Sequence, residues 1–260
     1  MEASVAQPIG VTKRDDRFFL VYAILALLIV FVGFTPSLFL RVAFETPPIP
    51  LYLHFHGAIL TGWFILLVIQ ASLVQVGNVA FHRKLGVFAA SYAAVVVAGG
   101  LMATLNVVSR DLGMGVTFDT DMAAIDTDLG SGITYLAFIS GVVWANILSV
   151  VTFAALIAAA VFYRRRPDYH KRLILVATVS ILGPALARIS RIDLLGGEQG
   201  PFIPLALLSL LAALFVYDWI ALNKIHRVTL LAVVFAIALN LLGSAIAESD
   251  LGLSFVRGLA

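Results

Sequence analysis

Seven long apolar stretches dominate this sequence and limit what it can fold into. A helix needs about 20 mostly apolar residues to cross the hydrocarbon core of a bilayer, which is roughly 30 Å thick. The sequence therefore predicts an all-α fold, a polytopic membrane bundle of seven transmembrane helices. The predicted spans are residues 18–40, 51–77, 85–108, 133–163, 171–195, 202–222 and 228–247.

The composition excludes several classes of protein. Hydrophobic residues make up 61% of the 260 residues and charged residues 12%, about half of the ~25% that is typical of soluble domains. A water-soluble globular protein, a disordered chain and a nucleic-acid-binding protein are therefore excluded. The chain has no cysteine, which also excludes disulfides, thiolate metal sites, iron–sulfur clusters and cysteine nucleophiles.

The basic residues predict the orientation of the bundle. Lysine and arginine concentrate in cytoplasmic loops, and twelve of the 17 in this chain fall in the N-terminal segment and every second loop. We therefore expect residues 1–17 to be a cytoplasmic segment and residues 18–247 to form the transmembrane domain. With an odd number of spans, residues 248–260 become an outer C-terminal tail.

One outer loop is longer than the others and strongly acidic. Residues 109–132 carry five aspartates and a single basic residue, Arg110. Such a loop is poorly suited to contact lipid, so we expect it to project into solvent.

Three of the five histidines share one setting. His82, His170 and His226 each precede an outward-running span on the predicted inner face, and a basic residue follows each of them. Asp218 lies near the inner end of the sixth span, where a carboxylate needs a partner. These four side chains are candidate ligands for a transition metal such as Zn, Fe or Cu. Alternatively, a pair of the histidines, His82, His170 or His226, could bind a haem b iron between two helices.

The inner face also fits two further hypotheses. Helix N-termini together with Arg83, Lys84, Arg172 and Arg227 favour anions such as phosphate or lipid headgroups. The general preference of basic residues for the inner face also accounts for the pattern without any binding function.

A polar stripe runs along the second span. His56, Trp63 and Gln70 recur every seven residues and so lie on one face of a helix, whereas His54 points elsewhere. A polar stripe in a membrane helix is expected to face the bundle, because exposure to lipid is costly. Together with Arg188 in the fifth span, His54, His56 and Gln70 form a possible polar path.

The phrase His82-Arg83-Lys84-Leu85-Gly86, and later His170 with Arg172 and Arg188, resembles a group of bacterial polytopic membrane proteins that share a domain of unknown function. The resemblance covers roughly residues 50–195 and implies a multi-pass protein of the cell inner (plasma) membrane. The histidine-bearing helix ends are also loosely similar to those of cytochrome b561-type haem proteins. Only the inner face has enough histidines for a haem, because His54 and His56 share one helix.

The functional hypothesis is a membrane protein that binds a metal ion or haem in a redox role. The alternatives are a transporter or a protein that binds small-molecule, anionic or lipid-headgroup ligands, and an accessory subunit without chemistry of its own. The lipid bilayer is the one partner that every version requires.

Overall fold

The computed structural model describes residues 13–46, 48–125, 131–191 and 199–260, without the side chains of residues 13–16 and 199–201. Most of the predicted N-terminal segment, residues 126–130 of the acidic loop and residues 192–195 of the fifth predicted span lie outside this description. The described residues contain helices and turns, and their one β-type contact is an isolated bridge between Asp121 and Thr134.

Ten α-helices form the described fold. They are α1 (Lys13–Phe34), α2 (Leu51–Gln75), α3 (Val79–Leu105), α4 (Val107–Gly113), α5 (Tyr135–Phe162), α6 (Pro167–Ser180), α7 (Gly183–Ile189), α8 (Gln199–Leu222), α9 (Arg227–Glu248) and α10 (Asp250–Arg257). A π-helical turn (Thr35–Phe39) extends α1, and a 3₁₀ turn (Met122–Ala124) lies in the acidic loop.

Six helical segments are long and apolar enough to cross a membrane, which marks a multi-pass membrane protein. The fifth predicted span, 171–195, is different, because α6 and α7 meet at a break and differ in direction by 50°. Pro184 explains the break: it has no N–H to donate to the carbonyl of Ser180, and its ring favours the first turn of a new helix. This pair is either one broken span or a re-entrant segment.

Helix α5 lies at the centre of the packing and contacts α3, α6, α9 and α10. Helix α2 packs between α1 and α3, and α1 also lies against α7. The main buried cluster joins α1–α3 and α5–α9 through side chains such as Trp63, Phe64, Phe153, Leu182 and Leu214. The histidines therefore sit at the ends of tightly packed helices.

The outer surface of the bundle is apolar, as contact with lipid requires. Trp219 and Ile220 on α8 are 62% and 66% exposed, and Leu231 on α9 is 68% exposed. An exposed apolar surface of this extent is unfavourable in water and indicates contact with another apolar phase.

The predicted outer tail, residues 248–260, is helical and packs back on the bundle. Ser249 caps α10 by accepting from the N–H of Gly252, and Val256 is fully buried. The indole of Trp144 on α5 donates to the carbonyl of Gly252 at 3.3 Å. The tail is therefore a fixed part of the fold.

Candidate functional site

The predicted inner-face residues lie at one end of the bundle, which we call the basic end. Here α2 leads into α3, α5 into α6, and α8 into α9 through short turns. His82 is in the first turn of α3, His170 is in the first turn of α6, and His226 caps α9. The structure divides the four predicted ligands into two groups within this end.

Asp218 is fully engaged by other protein groups. Arg172 donates from Nε and Nη2 to Asp218 Oδ1 at 2.9 and 2.5 Å. Oδ2 accepts from the hydroxyl of Thr229 at 2.5 Å and from the main-chain N–H of His226 at 3.1 Å. Both charged side chains are buried, with 2% exposure for Arg172 and 0% for Asp218. This carboxylate is therefore the partner of an arginine, and no free oxygen faces a metal ion.

His226 belongs to the same group. Its Nδ1 accepts from the N–H of Val228 at 3.2 Å, so the proton lies on Nε2, which donates to Asp168 Oδ2 at 3.2 Å. Burial, followed by the nearby Arg172 guanidinium, lowers the pKa of His226 below its ordinary value, although Asp168 and Asp218 act in the opposite direction. Because both ring nitrogens are bonded to protein groups, His226 acts as a helix cap that links α9 to α6.

His82 and His170 form the second group. Their rings lie 6.5 Å apart between centroids and are nearly perpendicular, at 82°. Both side chains are half-buried. Helices α3 and α6 both pack against α5 rather than extensively against each other, so the two imidazoles approach across a gap between their helices.

The tautomer of His170 follows from its one hydrogen bond. Nδ1 lies 2.8 Å from the carbonyl oxygen of Ala160 in the last turn of α5. A carbonyl oxygen can only accept, so Nδ1 carries the proton and Nε2 has a free lone pair. This is the arrangement that protein histidines adopt when Nε2 binds a metal.

His82 is held by the amide of Gln70 on α2. In the amide orientation that satisfies all its neighbours, the NH₂ group donates to His82 Nδ1 at 2.6 Å and to the His82 carbonyl at 3.2 Å. The amide oxygen accepts from the N–H of Gly86 at 3.0 Å. Because Nδ1 accepts here, the proton of a neutral His82 lies on Nε2. The two histidines thus have opposite tautomers.

The described residues contain no group of three or more His, Cys, Asp or Glu side chains arranged to hold a metal ion. The four-ligand site with His82, His170, His226 and Asp218 is therefore not formed in the described part of the chain. His82 and His170 lie close to each other without the other two.

The polar residues predicted along α2 bind neighbouring helices one by one. His56 Nδ1 lies 3.0 Å from the carbonyl of Gly99 on α3, and the indole of Trp63 donates to Thr178 Oγ1 on α6 at 3.3 Å. The stripe therefore faces neighbouring helices, as does Gln70. Its members are seven residues apart, about 10 Å along a helix, and these contacts do not join into one chain of hydrogen bonds.

His54, His56 and Arg188 lie at the end of the bundle opposite the basic end, whereas Gln70 lies near the basic end. Arg188 donates to Ser37 Oγ at 3.3 Å and to the carbonyl of Pro184 at 2.9 Å, and its guanidinium lies 4.4 Å from the Phe34 ring centre. His54 is exposed. Arg188 thus joins α7 to the end of α1, at the other end of the bundle from His82 and His170.

Sequence reasoning missed the role of Arg172, which it assigned to an anion site. Residues i and i+2 point to different sides of a helix, so His170 and Arg172 cannot share one ligand. The spacing alone could therefore have shown that His170 and Arg172 belong to different sites. Only the folded structure identifies Asp218 as the partner of Arg172. Asp168 was missed entirely.

No protein-family model matches the chain, and no curated protein and no solved structure matches it. The resemblance to uncharacterised bacterial membrane proteins therefore stays a prediction.

Proposed function

We propose that this chain is a membrane protein that binds one haem b between His82 and His170 and serves a redox role. The proposal rests on one observation, the close approach of the two imidazoles, whose ring centroids are 6.5 Å apart. Two imidazoles that bind one metal ion from opposite sides have ring centres about 6 Å apart, since each bond is ~2.0–2.1 Å long and each ring adds roughly 1 Å.

Haem fits this pair better than a bare metal ion does. The macrocycle of a haem would supply four of the ligands of its iron, so His82 and His170 would be enough to hold it, whereas a structural zinc site needs four protein ligands. The described part of the chain offers these two neighbouring histidines and no third ligand beside them.

The surrounding residues support binding in distinct ways. The Ala160 carbonyl orients His170 with Nε2 unprotonated, which favours ligation. The Arg172–Asp218 pair fixes the first turn of α6, because Arg172 also donates to the carbonyl of Asp168 at 2.9 Å. When bound, haem iron supplies reversible one-electron transfer.

We also propose that α6 and α7 together cross the bilayer, which gives seven spans with the N-terminus and the basic end in the cytoplasm. The alternation of basic loops supports this orientation. The same charge pattern and the bacterial resemblance support the cell inner membrane as the location.

The test is the absorbance spectrum of the protein purified in detergent from haem-supplied bacteria. We expect a Soret band in the wild type and a loss of about tenfold or more in haem content for H82A and for H170A. H54A, which removes an exposed histidine from α2, is the matched control and keeps the band. H226N also keeps it, because His226 belongs to the other group.

Two results contradict the proposal. One is a wild-type protein without a Soret band after expression with excess haem. The other is full haem content in either H82A or H170A. A colourless protein would favour the transporter or accessory-subunit alternatives.

A further inference from the structure

Gln70 makes three contacts with the first two turns of α3. One of them determines which ring nitrogen of His82 carries the proton. Its NH₂ group donates to Nδ1 and to the carbonyl of His82, and its oxygen accepts from the N–H of Gly86. The amide thus brackets the backbone at the point where the sequence reads His-Arg-Lys-Leu-Gly.

This arrangement has a chemical consequence for ligation. A histidine that binds iron through Nε2 must carry its proton on Nδ1, whereas Gln70 holds His82 with the proton on Nε2. If the Gln70 amide turned by half a revolution, its oxygen would accept a hydrogen bond from Nδ1. The NH₂ group would then lie against the N–H of Gly86 and the oxygen against the His82 carbonyl, so the turn would cost the other two contacts. One proton then leaves Nε2 and one arrives at Nδ1, so the charge of the neutral ring is unchanged.

We propose that Gln70 selects which ring nitrogen of His82 carries the proton, and that its amide turns over when His82 binds haem iron. Only the second part of this inference, the turn of the amide on binding, rests on the proposed function. Gln70 is thus a positioning residue that opposes ligation in the empty protein. His170 donates from Nδ1 to a backbone carbonyl, which cannot turn in this way. Nε2 of the neutral His170 ring therefore keeps the lone pair that binds iron.

The first test uses the haem-free protein labelled with ¹⁵N-histidine. Imidazole ¹⁵N shifts distinguish protonated from unprotonated nitrogens, and H82A identifies the His82 signals. We expect Nε2 to be protonated in the wild type. In Q70E, the ionised carboxylate has only acceptor oxygens, so we expect the proton on Nδ1. Q70L, which has no polar group, is expected to show no fixed preference.

The second test is haem titration and the midpoint potential. Q70E is expected to bind haem b about tenfold more tightly than the wild type and to have a lower midpoint potential, because a carboxylate makes the His82 ligand more electron-rich. V76E places the same charge just after the end of the same helix, where Val76 is 75% exposed. This control is expected to leave the His82 tautomer and the potential unchanged.

The outcomes separate this inference from the proposed function. A wild-type His82 protonated on Nδ1, or a Q70E protein with an unchanged tautomer, would overturn the role of Gln70 even if haem binds. Unchanged affinity and potential in Q70E would overturn the turn of the amide on binding. If no variant binds haem, the proposed function and this second half fail together, while the ¹⁵N shifts still decide the first half.

Discussion

At the scale of single residues, the buried ion pair between Arg172 and Asp218 dominates the basic end. Removing two charges from water costs several kcal/mol each, and excellent geometry must compensate for that cost. Here the carboxylate accepts four hydrogen bonds, two from Arg172 and one each from Thr229 and the His226 backbone. The pair joins α6, α8 and α9, so it fixes the helix that carries His170.

Removing one partner of this ion pair should therefore lower the free energy of unfolding far more than removing both. We expect D218A to lower the free energy of unfolding by about 3–5 kcal/mol, because it leaves the Arg172 charge buried without a partner. The double variant R172M/D218L should recover a large part of that loss. Thermal unfolding in detergent measures both. D119N, at an exposed aspartate, is the control, and a loss as small as that of D119N would contradict the prediction.

At the scale of helices, close packing at glycine positions decides which elements can meet. Without a hydrophobic driving force between helices in lipid, association depends on van der Waals contact between small residues. A Cβ added at Gly33 on α1 would collide with the carbonyl oxygen of Ala185 on α7. This contact between two backbones holds the short half-helix α7 beside α1.

Two Gly→Ala variants test that contact. G33A is expected to lower the free energy of unfolding by about 1–3 kcal/mol, because a backbone atom cannot move aside as a flexible side chain does. G141A is the matched control, since a Cβ at Gly141 on α5 meets nothing within 4 Å; it should leave stability equal or raise it by up to roughly 1 kcal/mol. Equal effects of the two variants would show that α1 and α7 do not pack in this way.

The existence of these helices could be predicted from the sequence more reliably than their continuity. Apolar residues continue through positions 171–195, so composition alone gives one span there. The structure ends α6 at Ser180 and starts α7 at Gly183. Pro184 predicts a kink, but not the two helices that differ in direction by 50°. That angle depends on which neighbouring groups bind the backbone carbonyls and N–H groups that the break leaves free.

At the scale of the whole molecule, the topology depends on whether α6 and α7 cross the bilayer. Seven spans place Lys84 and Lys224 on one side and Asp119 and Arg257 on the other. If α6 and α7 were re-entrant, α8 and α9 would run in the opposite directions, and Lys224 and Arg257 would exchange sides. The contact between Arg172 on α6 and Asp218 on α8 would then be lost. The chain contains no cysteine, so single introduced cysteines report without background.

Labelling of intact cells with an impermeant maleimide distinguishes the two topologies. We expect D119C and R257C to react from outside, and K84C and K224C to react only after the membrane is opened. Reaction of K224C in intact cells, with protection of R257C, would show six spans instead. K84C and D119C are the internal controls, because both topologies place them on the same sides.

Local composition was enough to establish that this chain is a helical membrane protein, where its six long apolar helices lie, and that its histidines gather near helix ends. These properties can be read locally, since a bilayer requires apolar segments with internally satisfied backbone hydrogen bonds. That His82 meets His170, and that Asp218 meets Arg172 instead of a metal, emerged from the folded bundle alone. Those pairings depend on the rotation and contacts of helices distant in sequence, and no local pattern encodes them. Arg172 and Asp218, for example, are 46 positions apart.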